Sequence, residues 1–384
     1  MQLKAAVIHH NLNSRGGGER VAVNTIELLK DMGFTVELVT SQKPEFEAIE
    51  KAYGRKIEVD RVIALFPFKF KYFGIYQRLF TIIPALRVRD ADIVINTHGD
   101  VLPYYLPAGV PYIAYLHFPV LALMLKEYPS KYQNSLFWKA YFKPYKYLTE
   151  TLMDYGMKRG TILTNSNFSK EAIKKIYPDI EPIIIYPPVD VERFSQVLNS
   201  NNRVDKILVV SRYTPEKKLE NTIKIIKMLP RNIKLQIIGS LIPANYPYYQ
   251  KLLKIANEEE VRGRVSMLIN ASFETLLGAM ATSKAYLHTM VGEHFGISIV
   301  EAMAAGLIPV VPNHGGQTEF VPSIYHYRNL EHASQIILQV MNSNQYERNA
   351  LNKIANKFSE STFKESMKKL ITDVLYGVKS NKVD

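Results

Sequence analysis

The sequence contains no cysteine and a single tryptophan, Trp138. Without Cys there are no disulfides, no thiolate metal sites and no Cys nucleophile. No stretch reaches 18 uncharged apolar residues, so a membrane span is not expected. The opening apolar run, Leu3–Ile8, is too short for a signal segment and is broken by His9 and His10. A chain kept in the cytoplasm, touching a membrane only peripherally, is the expectation. No fixed-period repeat is present either. What remains is 384 residues, 47% hydrophobic and 22% charged, a globular balance with enough length for two domains. Lys and Arg number 48 against 36 acids, a net charge of +12, which calls for an anionic ligand, surface or polymer as partner. The aromatic share, 11%, is carried by 24 Tyr and 17 Phe.

Short runs rich in Val and Ile alternate with helical patterns, the signature of parallel sheets covered on both faces. In the first half the strand candidates are Leu3–Ile8, Thr35–Val39, Arg61–Ala64, Ile93–Asn96, Tyr112–Leu116, Thr161–Asn165 and Ile183–Tyr186. The polar stretch Asn199–Arg203 reads as a linker or surface loop, after which the pattern restarts. Lys206–Ser211, Lys234–Gly239, Val265–Leu268, Ala285–His288 and Ile308–Val311 follow as strands. The fold class is therefore α/β, with two Rossmann-like domains over 1–190 and 191–361. Phe363, Met367, Leu370, Ile371 and Leu375 have helical spacing, so the tail 362–384 packs on a core; the pattern does not say which, and a return to the N-terminal domain is one option. Open α/β sheets bind ligands beyond the C-terminal ends of their strands, so two such domains facing a central cleft place the chemistry in the loops after the strands.

Three loops carry it. Gly16, Gly17 and Gly18 follow the first strand and open a helix, which makes either an anion site or a tight turn. After Lys206–Ser211 come Arg212 and Lys217, a fork and a point charge suited to a diphosphate, or else a solvated basic turn. The third loop, Gly292–Gly306, is the most specific. Glu293 precedes a glycine turn, and Glu301 lies in an apolar helix where a carboxylate needs hydrogen-bond donors, such as the hydroxyls of a sugar. The amides of Phe295, Gly296, Ile297 and Ser298 stand at that helix start. Two other patterns fail. Asp90-Ala91-Asp92 precedes a strand instead of following one, and Glu293-His294 is not part of an HExxH pair. With no second carboxylate cluster, no metal is expected.

Taken together, Gly-Gly-Gly-Glu-Arg-Val at 16–21, Tyr-Leu-His-Phe-Pro at 115–119, the Arg212/Lys217 pair, Glu-His-Phe-Gly-Ile at 293–297 and Val-Glu-Ala-Met-Ala-Ala-Gly at 300–306 resemble the retaining GT-B glycosyltransferases of family 4. Within that family they look most like the dolichol-pathway α-1,2-mannosyltransferases that extend lipid-linked oligosaccharides. The resemblance spans nearly the whole chain, and the N-terminal membrane anchor of the eukaryotic members has no counterpart in it. It implies a nucleotide-sugar donor, GDP-mannose before a UDP-sugar, a lipid-linked acceptor at the cytoplasmic membrane face, and neither metal nor cofactor. Arg212 and Lys217 would hold the diphosphate, Glu293 the sugar hydroxyls and Glu301 the ribose. Gly16–Gly18 and the 295–298 amides would approach the phosphates, His117 would contact the transferred sugar, and His98 would line the acceptor side. The glycines of Asn313–Glu319 would shape the nucleotide pocket. No N-terminal carboxylate offers itself as a nucleophile, since Glu19 and Asp100 read as capping and loop residues; a front-face route fits that absence. The competing readings are a GT-B-shaped sugar-nucleotide epimerase, or a UDP-sugar transferase with a phospholipid or soluble acceptor.

Two stretches stand apart. Residues 66–89 hold seven aromatics and five bases with no acid before Asp90, and Lys131–Tyr147 places Trp138, Tyr141, Phe142 and Tyr145 at helical spacing beside Lys139, Lys143 and Lys146. Rings and bases together suit an anionic membrane surface or a helix packed on its own sheet with its lysines in water; membrane or lipid-acceptor contact is the expectation for 66–89, and both readings stand for Lys131–Tyr147. No nucleic-acid-binding signature accompanies them.

Overall fold

A computed structural model describes residues 2–14, 16–68, 74–102, 104, 109–128, 130–133, 135–258 and 260–380. The chain forms two compact units, one of residues 1–188 with 360–384, the other of 189–359. Strands of the first are β1 (Lys4–Ile8), β2 (Thr35–Gln42), β3 (Arg61–Phe66), β4 (Ile93–Asn96), β5 (Tyr112–Tyr115), β6 (Thr161–Thr164) and β7 (Ile183–Ile184). They make one parallel sheet ordered β3-β2-β1-β4-β5-β6-β7. The second unit has β8 (Val204–Val210), β9 (Lys234–Gly239), β10 (Val265–Ile269), β11 (Ser283–Leu287), β12 (Ile308–Pro312) and β13 (His326–Tyr327), ordered β10-β9-β8-β11-β12-β13. Both are doubly wound. The strand order reverses between β1 and β4 in one and between β8 and β11 in the other, and those two switch points are where crevices form.

Strand alternation divides the first unit's core between two faces. Ala5, Val7, Val36, Leu38, Ile93, Ile95, Ile113 and Tyr115 point to one, Ala6, Ile8, Val39, Ile63, Val94 and Ala114 to the other. The first face is covered by the helix Gly17–Asp31, through Val21, Val23, Ile26 and Leu29, and by the helix Glu360–Ser380, through Phe363, Met367 and Ile371. Polar ties hold the second helix on the first: Arg55 bridges Glu27 at 2.7 Å and Glu360, and Lys364 reaches Glu27 at 3.1 Å. The second face receives Met153 and Met157 from the helix Leu136–Arg159. Strand β7 is shorter than the apolar run Ile183–Tyr186 because Pro182, Pro187 and Pro188 remove the amide donors a ladder needs.

The polar segment Asn199–Arg203 lies inside the second unit and does not connect the two. Arg203 fixes it: Nη1 donates to the carbonyls of Met280 (2.8 Å) and Ser283 (2.7 Å), and Nη2 to those of Val197 (2.9 Å), Leu198 (3.3 Å) and Ala305 (2.6 Å). Five carbonyls on one guanidinium gather three separate stretches of chain. Arg203→Met keeps the apolar stem but strands those acceptors, and is expected to cost about 3 kcal/mol, read as a lowered urea midpoint. A midpoint within error of the parent protein would refute that role. The chain passes between the units at 188/189 and at 359/360, and the Val189 amide donates to the Phe358 carbonyl at 2.9 Å beside those passes.

Candidate active site

In the second unit the site residues sit on the loops after β8 and β11, at the switch point. The loop after β8 turns through Thr214–Lys217 into the helix Leu219–Lys227, and Thr289 Oγ1, after β11, donates to the Lys217 carbonyl at 2.8 Å. This holds Lys217 against the β11 loop. Its Nζ donates to Glu293 Oε2 at 2.6 Å and lies 3.2 Å from Met290 Sδ. His288 Nε2 approaches the same carboxylate oxygen at 3.3 Å. Burial disfavours an ionised Glu293, but the Lys217 ammonium and the His288 ring outweigh it and hold the carboxyl well below its usual range. Burial lowers His288, so that ring is neutral at neutral pH. Arg212 does not join this cluster: it is 67% exposed and pairs with Glu216 at 3.8 Å.

The glycines of this loop answer to specific neighbours. Gly296 caps the helix Ile297–Ala304 at φ +103°, where a side chain would be strained. Glu293 is pinned from the other side by the Gly316 amide, which donates to its carbonyl at 2.7 Å, and a Cβ on Gly316 would lie 2.0 Å from the His294 carbonyl oxygen. The glycines at 315–316 therefore serve the 293–295 backbone first. Phe295 is a core residue, its ring against Phe320 and Phe358, so its side chain is turned away from any ligand. Ile297 and Ser298 open the helix half-exposed, with first-turn amides that lack intrahelical acceptors. At the other end Arg203 and Arg348 donate to the Ala305 and Gly306 carbonyls, both at 2.6 Å, so cations close the negative end of the helix. Glu301 is buried in its middle.

In the first unit the loops after β1, β4 and β5 converge on the other switch point. Gly16 caps the helix Gly17–Asp31, and its amide donates to Glu19 Oε2 at 2.8 Å, a capping role for Glu19. The other oxygen of Glu19 faces His9 at 3.7 Å, and His9 Nδ1 meets Thr97 Oγ1 at 3.0 Å. His117 is wedged between two glycines: a Cβ on Gly18 would lie 3.2 Å from its Nε2, and one on Gly99 3.1 Å from its Cδ2. Gly18 thus makes room for a side chain. His117 Nε2 is 2.9 Å from the Thr97 carbonyl, which can only accept, so the proton is on Nε2. Burial pulls this ring down to about 4, so at neutral pH Nδ1 keeps a lone pair for a hydroxyl donor. His98 is buried, with Nε2 on the Tyr104 hydroxyl at 2.5 Å and its amide on Asn96 Oδ1, the contacts of a packed residue and not of one turned toward an acceptor. Asp100 is likewise buried, held by Arg78 at 3.2 Å and by the Tyr145 hydroxyl at 2.7 Å. Asp90-Ala91-Asp92 lies at the opposite, N-terminal edge of the sheet, where Asp92 accepts the Lys4 amide at 2.8 Å.

His288 and Met290, and in the first unit His9 and Arg78, were not singled out from the sequence. His288 stands directly after β11, where the switch-point rule points, and that position was the available signal. His9 and Arg78 had none, because their partners are 88 and 22 residues away in sequence.

Comparisons with known proteins agree with this architecture. Residues 15–193 match Glycosyltransferase Family 4, and residues 190–358 match Glycosyl transferases group 1. Among curated relatives, the GDP-Man:Man(3)GlcNAc(2)-PP-Dol alpha-1,2-mannosyltransferase of Kluyveromyces lactis is 25% identical over 352 residues, covering 79% of this chain and 60% of its own length. The protein of that name from Caenorhabditis elegans is 25% identical over 313 residues, covering 71% and 66%. The chain thus spans about three fifths of the length of such relatives. Among solved structures, Anabaena Alr3699/HepE in complex with UDP superposes with a TM-score of 0.71 at 16% identity, covering 97% of this chain and 100% of that one. Sucrose-phosphate synthase from Thermosynechococcus elongatus gives 0.71 at 13% identity over the same shares. With the two family matches together spanning residues 15–358 and the fold shared with its structural neighbours, the chain belongs to the GT-B glycosyltransferases of family 4.

Proposed function

We propose that the protein transfers mannose from GDP-mannose to a lipid-linked glycan, with retention at the anomeric carbon and without a metal. The observation that carries the reading is the Lys217–Glu293–His288 cluster at the start of the helix Ile297–Ala304: a cation for a diphosphate beside a carboxylate, ionised at neutral pH, that can accept sugar hydroxyls. The mannose, the GDP and the lipid-linked acceptor come from the names of the relatives.

In this scheme Lys217 exchanges Glu293 for the donor diphosphate, Arg212 adds a second cation from the solvent side, and the first amides of the helix complete the phosphate shell. Glu293 then accepts sugar hydroxyls, and Glu301 those of the ribose. On the first unit, Nδ1 of His117 accepts a hydroxyl of the transferred sugar. The bond from the anomeric carbon to the diphosphate oxygen breaks as the acceptor oxygen bonds to the same face, and the acceptor's proton passes to the departing diphosphate. A covalent sugar adduct trapped on any side chain would refute that route.

Purified protein incubated with GDP-mannose and a short-chain lipid-diphosphate glycan is expected to release GDP only when the acceptor is present, giving an α-linked product by NMR. Turnover confined to UDP-sugars would overturn the donor assignment. An isomerised sugar nucleotide formed without acceptor would make the protein an epimerase.

A further inference from the structure

The helix Leu136–Arg159 is apolar on two sides, and the structure separates them. Phe142, Tyr145, Thr149 and Met153 are buried, and Trp138 and Tyr141 half-buried. Their partners are internal: Phe142 packs at a tilt against Tyr132 at 4.6 Å, and Tyr76 packs edge-on against Tyr141 and Tyr145, each at 5.4 Å. Of the four rings that stood out in sequence, Phe142 and Tyr145 are therefore core residues, and Trp138 and Tyr141 pack half-buried against them. In the stretch 66–89, Tyr76 and Phe80 likewise have ring partners, while Lys69, Phe70, Lys71, Tyr72 and Phe73 lie outside the described residues.

The opposite side carries a different set. Leu136 is 85% exposed, Phe137 70%, Tyr147 72% and Leu148 41%. With Ala140 and Pro144 between them, they follow spacings of three and four residues and make one outward stripe about three turns long. Such a stripe of large apolar side chains needs a partner. Charge says which: from Leu136 to Thr149 the helix has no acid, while Lys139 and Lys143 are exposed and Lys146 flanks the stripe, 3.4 Å from Glu150. Among the described residues no helix is long and apolar enough to cross a membrane.

We propose that the outward face of residues 136–148 lies in the interface of an anionic bilayer, with Leu136, Phe137, Tyr147 and Leu148 among the acyl-chain ends and Lys139, Lys143 and Lys146 on lipid phosphates. This goes beyond the transfer reaction, which does not require it, and rests on that reading only for why a bilayer is near. Each lysine at such a surface strengthens partitioning about fivefold.

Vesicle co-sedimentation tests the face without any turnover. The full chain is expected to sediment with vesicles containing one third phosphatidylglycerol and not with pure phosphatidylcholine. The triple substitution Phe137→Ser, Tyr147→Ser, Leu148→Ser should cut the partition coefficient at least tenfold, and Lys139→Gln with Lys143→Gln should do so by about twenty-fivefold. These side chains are exposed, so the variants should keep the parent's thermal midpoint and its rate on a soluble acceptor glycan. Parent-like binding by the triple variant, no binding by the parent protein, or a dimer formed through this face in place of vesicle binding would each overturn the proposal. Loss of turnover with vesicle binding intact would instead count against the transfer reading.

Discussion

Lys217→Ala is expected to lower kcat by about 10²–10³-fold, with a small change in the KM for the nucleotide sugar. The reasoning starts from the free protein, where the ammonium is already satisfied by Glu293 at 2.6 Å. Binding a diphosphate in the ground state exchanges one anion for another and gains little net energy. As the bond to the anomeric carbon breaks, negative charge grows on the diphosphate, and only then does the lysine gain what Glu293 could not offer; interactions of that kind raise kcat. Arg212, 67% exposed and paired with Glu216 at the rim, should show the converse when replaced by Ala, a several-fold rise in KM with kcat less affected. A second readout comes from pH. Lys217 is the chief attraction that lowers the Glu293 pKa, and burial is the effect opposing it. In the parent protein Glu293 stays ionised well below the usual carboxylate range. Without Lys217 burial gains the upper hand, the pKa rises, and the acid limb of the variant's rate profile moves to higher pH. A Lys217→Ala enzyme with normal kcat and an unmoved acid limb would remove this residue from the chemistry.

Gly316→Ala should be a strongly damaging single-methyl change in the second unit's site. The new Cβ would lie 2.0 Å from the His294 carbonyl oxygen and 3.1 Å from the Phe295 Cα, so backbone has to move. The same residue donates its amide to the Glu293 carbonyl at 2.7 Å, and Gly315, at φ +129°, leaves little slack on the other side. Overpacking of this kind costs about 2 kcal/mol, or ~6 °C in Tm for a unit of this size. The activity loss should be larger, about 10²-fold, because a shift of ~1 Å at 293–295 carries the Glu293 carboxylate away from Lys217. A Gly316→Ala protein with parental Tm and parental rate would show that the loop gives way without consequence.

The contrast between these two residues shows what was legible beforehand. Lys217 was nominated from sequence because a base after a strand at a helix start has a chemical use visible in one dimension. Gly316 was assigned to the nucleotide pocket, because a glycine pair only announces that some backbone comes close, not which. The two sheets were readable because strands covered on both faces are written as short continuous runs rich in Val and Ile; β13, two residues long, leaves none. Arg203 shows the limit most plainly. In a run of Asn and Ser it reads as a loop residue, and its five carbonyl acceptors come from stretches as far off as Ala305. On the helix Leu136–Arg159, sequence found the aromatic richness but could not divide it, since rings on both sides blur the helical period. Buried clusters such as Arg78–Asp100–Tyr145 are invisible for the same reason: they join three elements with no shared spacing.

The helix Glu360–Ser380 closes the core of a unit whose other residues end at Pro188. On the ribosome, the side of the first sheet that Phe363, Met367 and Ile371 cover therefore waits while residues 189–359 are made, roughly 10–35 s at about 5–20 residues per second. During that interval Val21, Val23 and Leu29 have the helix Gly17–Asp31 in place but not its neighbour, and the nascent chain carries an unsealed apolar seam. The second unit, contiguous in sequence, has no such wait. Synthesis order thus favours a protein whose second unit is complete first, with the earlier-made first unit sealed by the late-emerging helix, and it makes that seam the place where a chaperone would be needed most.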